Sequence, residues 1–125
     1  MNFKAALKPF QFAARRLVGN RLRVLRVVAV GTQKAIKNPE VLKEIWGDFQ
    51  TLLAMIGAWA RRDYRNVPTK SIVLGLAAVL YFISPLDLIP DFLPGGFLDD
   101  LAVLTLVLAS LRADIAAFRL WKNPG

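Results

Sequence analysis

Apolar residues return every three or four positions through the first part of the chain, at Leu7, Phe10, Ala14, Leu17, Val18, Leu22, Leu25 and Val28. That spacing predicts an amphipathic helix over roughly residues 3–36, with Gly19 and Gly31 as places where it could be interrupted. Arg15, Arg16, Arg23 and Arg26 fall on the opposite side. The segment therefore reads as a basic helix lying in a membrane interface, or packing its apolar stripe on the rest of the protein. A second stripe follows at Val41, Leu42, Ile45, Trp46, Phe49, Leu52, Leu53, Ile56 and Trp59, and Asn38-Pro39-Glu40 is a helix start: a capping side chain, a proline at the first position, and an acid at the positive dipole end. The polar run from Arg61 to Asn66 ends it, and Pro68 separates it from the next element.

The pattern then changes character. Between Lys70 and Asp87 lie sixteen uncharged residues, apolar on every side rather than striped, so this helix must be buried in protein or in lipid. Pro85 and its effect on Ser84 end it. From Pro85 to Gly96 there are three prolines and two glycines, which make a tight irregular reversal. After Asp99 and Asp100 an apolar, alanine-rich stretch continues as a helix to about Trp121. The expected fold is all-α: a small membrane-associated protein of two amphipathic helices followed by an apolar helical hairpin with a Pro/Gly/Asp-rich turn. It forms one domain over residues 1–125, with the basic amphipathic part at 1–66 and the hairpin at 68–122.

Composition sharpens this reading. Apolar residues make up 55% of the chain and charged residues 21%, with a mean hydropathy of +0.42, which leans away from an ordinary soluble domain. Cysteine and histidine are absent, which removes disulfides, thiol nucleophiles, Cys/His zinc sites and His-based catalytic pairs. The net charge of +8 is unevenly spread: no acid precedes Glu40, whereas Lys4, Lys8, Arg15, Arg16, Arg21, Arg23, Arg26, Lys34 and Lys37 do. Such a stretch suits a polyanion, and the apolar content favours lipid headgroups over nucleic acid. No secretory signal pattern is visible in the early chain, and a transit peptide would be serine-rich where the first serine is Ser71.

Neither hairpin arm spans a bilayer cleanly. From Lys70 to Asp87 a helix rises about 25 Å and from Asp100 to Arg112 about 18 Å, against a hydrocarbon core of about 30 Å. A spanning hairpin, a shallow interfacial one and a soluble bundle that uses the arms as its core all stay open. If the hairpin spans, the Arg and Lys residues outside it put both termini in the cytoplasm, as in a bacterial inner membrane. Trp46, Trp59, Tyr81 and Trp121 are either headgroup anchors or core.

The segment from Tyr81 to Leu101, YFISPLDLIPDFLPGGFLDDL, resembles the signature of the YkvA-like family (domain of unknown function 1232) over about residues 68–110. The resemblance implies a short helical hairpin in a small, membrane-bound protein without an established reaction. Physically, Ser84, Pro85, Pro90, Pro94, Gly95 and Gly96 shape the turn, while Asp87, Asp91, Asp99 and Asp100 gather four carboxylates at it. They serve either as helix caps, as a salt-bridge cluster, or as a hard-cation site.

The expected function is a membrane-associated structural or interaction module of unestablished activity, with no catalytic residues, no resident cofactor, and membrane lipids plus a protein partner or a second copy as its contacts. Arg15, Arg16, Arg23 and Arg26 are the candidate anionic-lipid contacts. The alternatives are a divalent-cation-binding or ion-handling protein or enzyme centred on the Asp cluster and, more weakly, a nucleic-acid binder using the basic N-terminus.

Overall fold

A computed structural model describes residues 3–37, 39–83 and 96–123. Its described elements are helices: α1 (Phe3–Leu17), α2 (Arg21–Lys37), α3 (Pro39–Leu42), α4 (Trp46–Ala60), α5 (Thr69–Ile83), α6 (Gly96–Ser110) and α7 (Arg112–Lys122). The all-α fold class expected from the sequence is what the chain adopts.

The uniformly apolar segment is α5, and protein surrounds it. Helix α1 lies along it, α2 is set against both α4 and α5, α6 returns beside it, and α7 rests on α4. Ile72, Leu76 and Val79 of α5 have no accessible surface, nor do Leu7 of α1, Val24 of α2 and Leu52 and Ile56 of α4. Edge-to-face ring pairs lock the layers together: Phe10 with Tyr81 at 5.3 Å and Phe49 with Phe82 at 5.2 Å between ring centres. Of the aromatic residues weighed as headgroup anchors, Trp59 and Tyr81 are core, Trp46 is half-buried and Trp121 is exposed. At 15 residues α5 is about 22 Å long. Among the described residues no helix is long and apolar enough to cross a membrane. Of the two arms, α5 is inside the bundle, whereas α6 buries Val103, Leu104, Val107 and Leu108 and leaves Leu106 48% exposed.

The N-terminal stripe is not one helix. Val18–Asn20 interrupts it, and the Asn20 side chain caps α2 by accepting the Arg23 N–H at 3.2 Å. The interruption falls at Gly19, one of the two places the sequence allowed. Within α2, Leu22, Leu25 and Val28 spread over about 120° of the helix, and with Val24, Gly31 and Ala35 setting the buried side Leu22 stands at the far end of that spread, 79% exposed, while Leu25 and Val28 are half-buried. Gly31 does not interrupt α2. A Cβ there would stand 2.9 Å from Val79 Cγ1, so this glycine lets α2 approach α5 closely.

The second predicted helix is likewise divided. Its start at Pro39 is as expected, but after α3 the chain turns through Lys43–Ile45, with the Ile45 N–H donating to Leu42 O at 3.0 Å, before α4 begins. Helix α4 closes in a reversal built on Arg62 at φ 67°, whose N–H donates to Trp59 O while the Asp63 N–H reaches Ala58 O, both at 3.0 Å. The returning arm bends at Leu111, between α6 and α7. Ser110 Oγ donates to Leu106 O four residues back at 3.0 Å, a contact that bends helices.

At the α5 N-terminus, Ser71 Oγ donates to Asp114 Oδ2 of α7 at 2.7 Å. Nearby, the Tyr64 ring packs on Phe118 and Trp121, with centres 5.0 and 4.9 Å away. Burial, and then the Asp114 carboxylate, push the Tyr64 hydroxyl above its ordinary value of 10.0.

Two predictions test this packing. Gly75 of α5 sits where a Cβ would meet Leu52 Cδ1 at 2.8 Å, Ile56 Cδ1 at 3.4 Å and Leu111 Cδ1 at 3.5 Å. Gly75→Leu should therefore destabilise the fold by about 1–3 kcal/mol in denaturant unfolding. Gly75→Ala, which needs only a side-chain end to yield, should cost much less. In a Tyr81→Phe background Tyr64 is the sole tyrosine, and absorbance titration should place its midpoint above 10.0. Because the folded value is raised, this hydroxyl favours folding below the unfolded-chain value, and the contribution fades as pH rises through the folded one. Asp114→Asn should lower the midpoint without abolishing the part due to burial.

Candidate functional site

Helices α1 and α2 bury one side each against α5 and α4, which leaves two outward faces. Among the described side chains of α1 the exposed positions are Lys8, Pro9, Phe12, Arg15 and Arg16. On α2 they are Leu22, Arg23, Arg26, Ala29, Val30, Gln33, Ile36 and Lys37. The four arginines singled out from the sequence, Arg15, Arg16, Arg23 and Arg26, are thus all at the surface, on the faces turned away from the core. Large apolar side chains share those faces: Phe12 is 62% exposed, Val30 42% and Ile36 62%. The Arg16 guanidinium lies 5.6 Å from the centre of the Phe12 ring. With no acid before Glu40, the outward surface of both helices is cationic and apolar together.

Two further cations of α2 point inward and do structural work. The Arg21 Nη1 donates to Trp59 O at 2.6 Å, with its guanidinium 4.4 Å from the Trp59 ring centre, so a positive charge meets the carbonyl end of α4. Lys34 Nζ donates to Phe82 O, and to Ile83 O at 3.1 Å, while lying 4.9 Å from the Phe82 ring centre. It caps the C-terminal end of α5. Sequence reading grouped both residues with the general N-terminal charge. Phase distinguishes Arg21, which lies about 160° around the helix from Arg23, but not Lys34, which lies only about 20° from Arg23 and is told apart by the carbonyls it reaches.

Ser84, Pro85, Asp87, Pro90, Asp91, Pro94 and Gly95 lie outside the described residues. Gly96 is the first residue of α6, and Asp99 and Asp100 follow within its opening turns. Among the described residues no three His, Cys, Asp or Glu side chains converge as a metal ion would require. The described surface ion pair is Arg119 Nη2 with Asp48 Oδ1 at 2.7 Å, joining α7 to α4. It borders a shallow cleft that Thr51, Ala54 and Ala116 also line.

Comparison with known proteins turns on α5 and α6. The "Uncharacterized membrane protein YkvA" of Bacillus subtilis (strain 168) is 34% identical over 90 residues, an overlap that takes in 71% of this chain and 85% of that protein. This chain belongs to the YkvA-like family. The profile of the family described as "Protein of unknown function (DUF1232)" matches residues 71–106, which covers most of α5, the acidic turn and the first two-thirds of α6. No solved structure matches. In this YkvA-like chain the profile-matched helix α5 is the packed centre, and the basic outward faces of α1 and α2 lie outside the profile match.

Removal of the cap on α5 should be measurable. Lys34→Met keeps the apolar stem over Phe82 but leaves two carbonyls at the helix end without their charged donor. A loss of about 1–3 kcal/mol in denaturant unfolding is expected, whereas Lys37→Met, at an exposed position, should change stability by no more than about 0.5 kcal/mol.

Proposed function

We propose that the protein is a membrane-associated interaction module that seats on an anionic bilayer as a folded bundle, with the outward faces of α1 and α2 toward the lipid. The observation that carries this is the co-exposure of Arg15, Arg16, Arg23 and Arg26 with Phe12, Leu22, Val30 and Ile36 on helices that contain no acid. Cations alone would suit any polyanion. Apolar side chains among them suit a headgroup layer with hydrocarbon beneath it. A nucleic-acid site would instead offer aromatic rings for base stacking, and among the described side chains of these faces Phe12 is the exposed one. The name of the Bacillus relative, a membrane protein, supports the same reading. Because α5 already has its apolar surface covered by α1, α2, α4 and α6, seating needs no opening of the bundle.

The test is co-sedimentation with vesicles of mixed phosphatidylglycerol and phosphatidylcholine against phosphatidylcholine alone. Binding should require the anionic lipid and weaken with salt. At about 1 kcal/mol per basic residue, Arg→Gln at positions 15, 16, 23 and 26 together should reduce partitioning by on the order of a thousandfold, with the helical circular dichroism unchanged. Undiminished binding by that variant, or preferential binding to DNA or RNA competitors, would overturn the proposal.

A further inference from the structure

The exposed face of α2 is itself divided along its length. Leu22, Ala29 and Ile36 are seven residues apart, a spacing that drifts by only about 20° per step on a helix, so they form one nearly straight seam about 21 Å long. Leu22 and Ile36 at its two ends are 79% and 62% exposed. At 100° per residue, Arg26, Lys37 and Arg23 fall beside this seam on one flank, with Val30 among them. The other side of the helix, at Val24, Gly31 and Ala35, is fully packed. An apolar row parallel to a cationic row is the arrangement of a helix lying in the plane of a membrane interface.

We propose that α2 is the penetrating element of the membrane-seated protein. Its Leu22–Ala29–Ile36 seam enters the boundary between headgroups and acyl chains, while Arg23, Arg26 and Lys37 engage lipid phosphates. This rests on the seating proposed above and adds which helix enters and along which line. Charge decides between lipid and a second copy of the chain as the occupant. Pairing two such seams antiparallel about a two-fold axis would set the two cationic rows on the same side of the pair, with Arg23 of one copy near Lys37 of the other, and Arg21–Lys37 contains no acid to offset them. Lipid phosphate supplies the missing negative charge. Helix α1 is the poorer candidate, because among its described side chains Phe12 is the one large apolar group that is exposed, and it already carries the Arg16 guanidinium.

The chain contains no cysteine, so one introduced thiol gives a unique label. Leu22→Cys, Ile36→Cys and, as an exposed control on α4, Gln50→Cys would each be coupled to an environment-sensitive fluorophore and mixed with the phosphatidylglycerol-containing vesicles. Labels at 22 and 36 should shift to the blue and be quenched by lipids brominated near the glycerol end of the acyl chain, and the label at 50 should not. Leu22→Ser with Ile36→Ser, both at surface positions, should retain the fold and low-salt binding but lose about tenfold per side chain at high salt. If vesicles bind while the 22 and 36 labels stay unquenched, the penetrating role of α2 is overturned and the electrostatic seating stands. If no vesicle binds, both fall. A blue shift at 22 and 36 that grows with protein concentration and needs no lipid would make the seam an interface between copies and overturn the inference.

Discussion

A helix that is apolar on every side cannot stay in water, and the rest of this fold follows from how α5 is covered. Two media could take it, lipid or protein. The chain supplies protein: α1 along its length, α2 and α4 against its flank, α6 on its return side. Gly31 and Gly75 show how close this cover is, since a methyl group at either would stand within 3.0 Å of a neighbouring side chain, Val79 from one and Leu52 from the other. Dispersion and burial are strongest where backbones approach like this, and the small residues exist to permit it. With its apolar surface consumed inside the molecule, α5 has little left to offer a bilayer, and in the seating proposed above contact with the membrane passes to the covering helices.

The ends of the buried helices pose a second demand, because their last carbonyls lack partners within the helix. Here α2 meets it twice. Arg21 reaches Trp59 O at the end of α4, and Lys34 reaches Phe82 O and Ile83 O at the end of α5. Each cation also lies over the ring of the residue whose carbonyl it binds, which screens the contact from water. One helix thus ties together the ends of two others, and its charge is separated into inward cations that hold the bundle and outward cations that are free to meet a polyanion. Net charge alone hides that division.

Much of this was legible in the residues. Fifteen-residue α5 and the start of α3 at Pro39 follow from unbroken apolarity and from proline chemistry, and the Tyr81–Leu101 segment was enough to indicate the family. The phase of the first helix was not. Gly19 marked a place where the helix could break, but spacings of three and four still counted Leu22 as core; the Asn20 cap fixes where α2 starts, and Val24, Gly31 and Ala35 fix the side that it buries. Gly31 gave the opposite difficulty, since a glycine that breaks a helix and one that admits a neighbour look alike until the neighbour is known. The choice between lipid and protein around α5 was equally beyond the local pattern, because both media accept the same side chains. What decides it is the apolar stripes of α1, α2 and α4, which need a surface to cover and find it there. The acidic turn, with Asp87 and Asp91, lies outside the described residues, so its reading is that of the sequence.

Folding and the proposed membrane seating make opposite demands on the same helices. An apolar side chain on α1 or α2 that turns inward adds to the core; one that turns outward adds nothing to folding and exposes hydrocarbon to water. Val24 and Leu22 sit two residues apart on opposite sides of that division. A bundle shaped by stability alone gains nothing from Leu22, Val30 and Ile36 outside, and isolated apolar residues at a surface are common enough to need no reason. The heptad spacing of Leu22, Ala29 and Ile36 beside a basic row is not isolated. It is a second amphipathic division made within the exposed half of an already amphipathic helix, and a medium that is anionic at its surface and apolar beneath matches both of its halves.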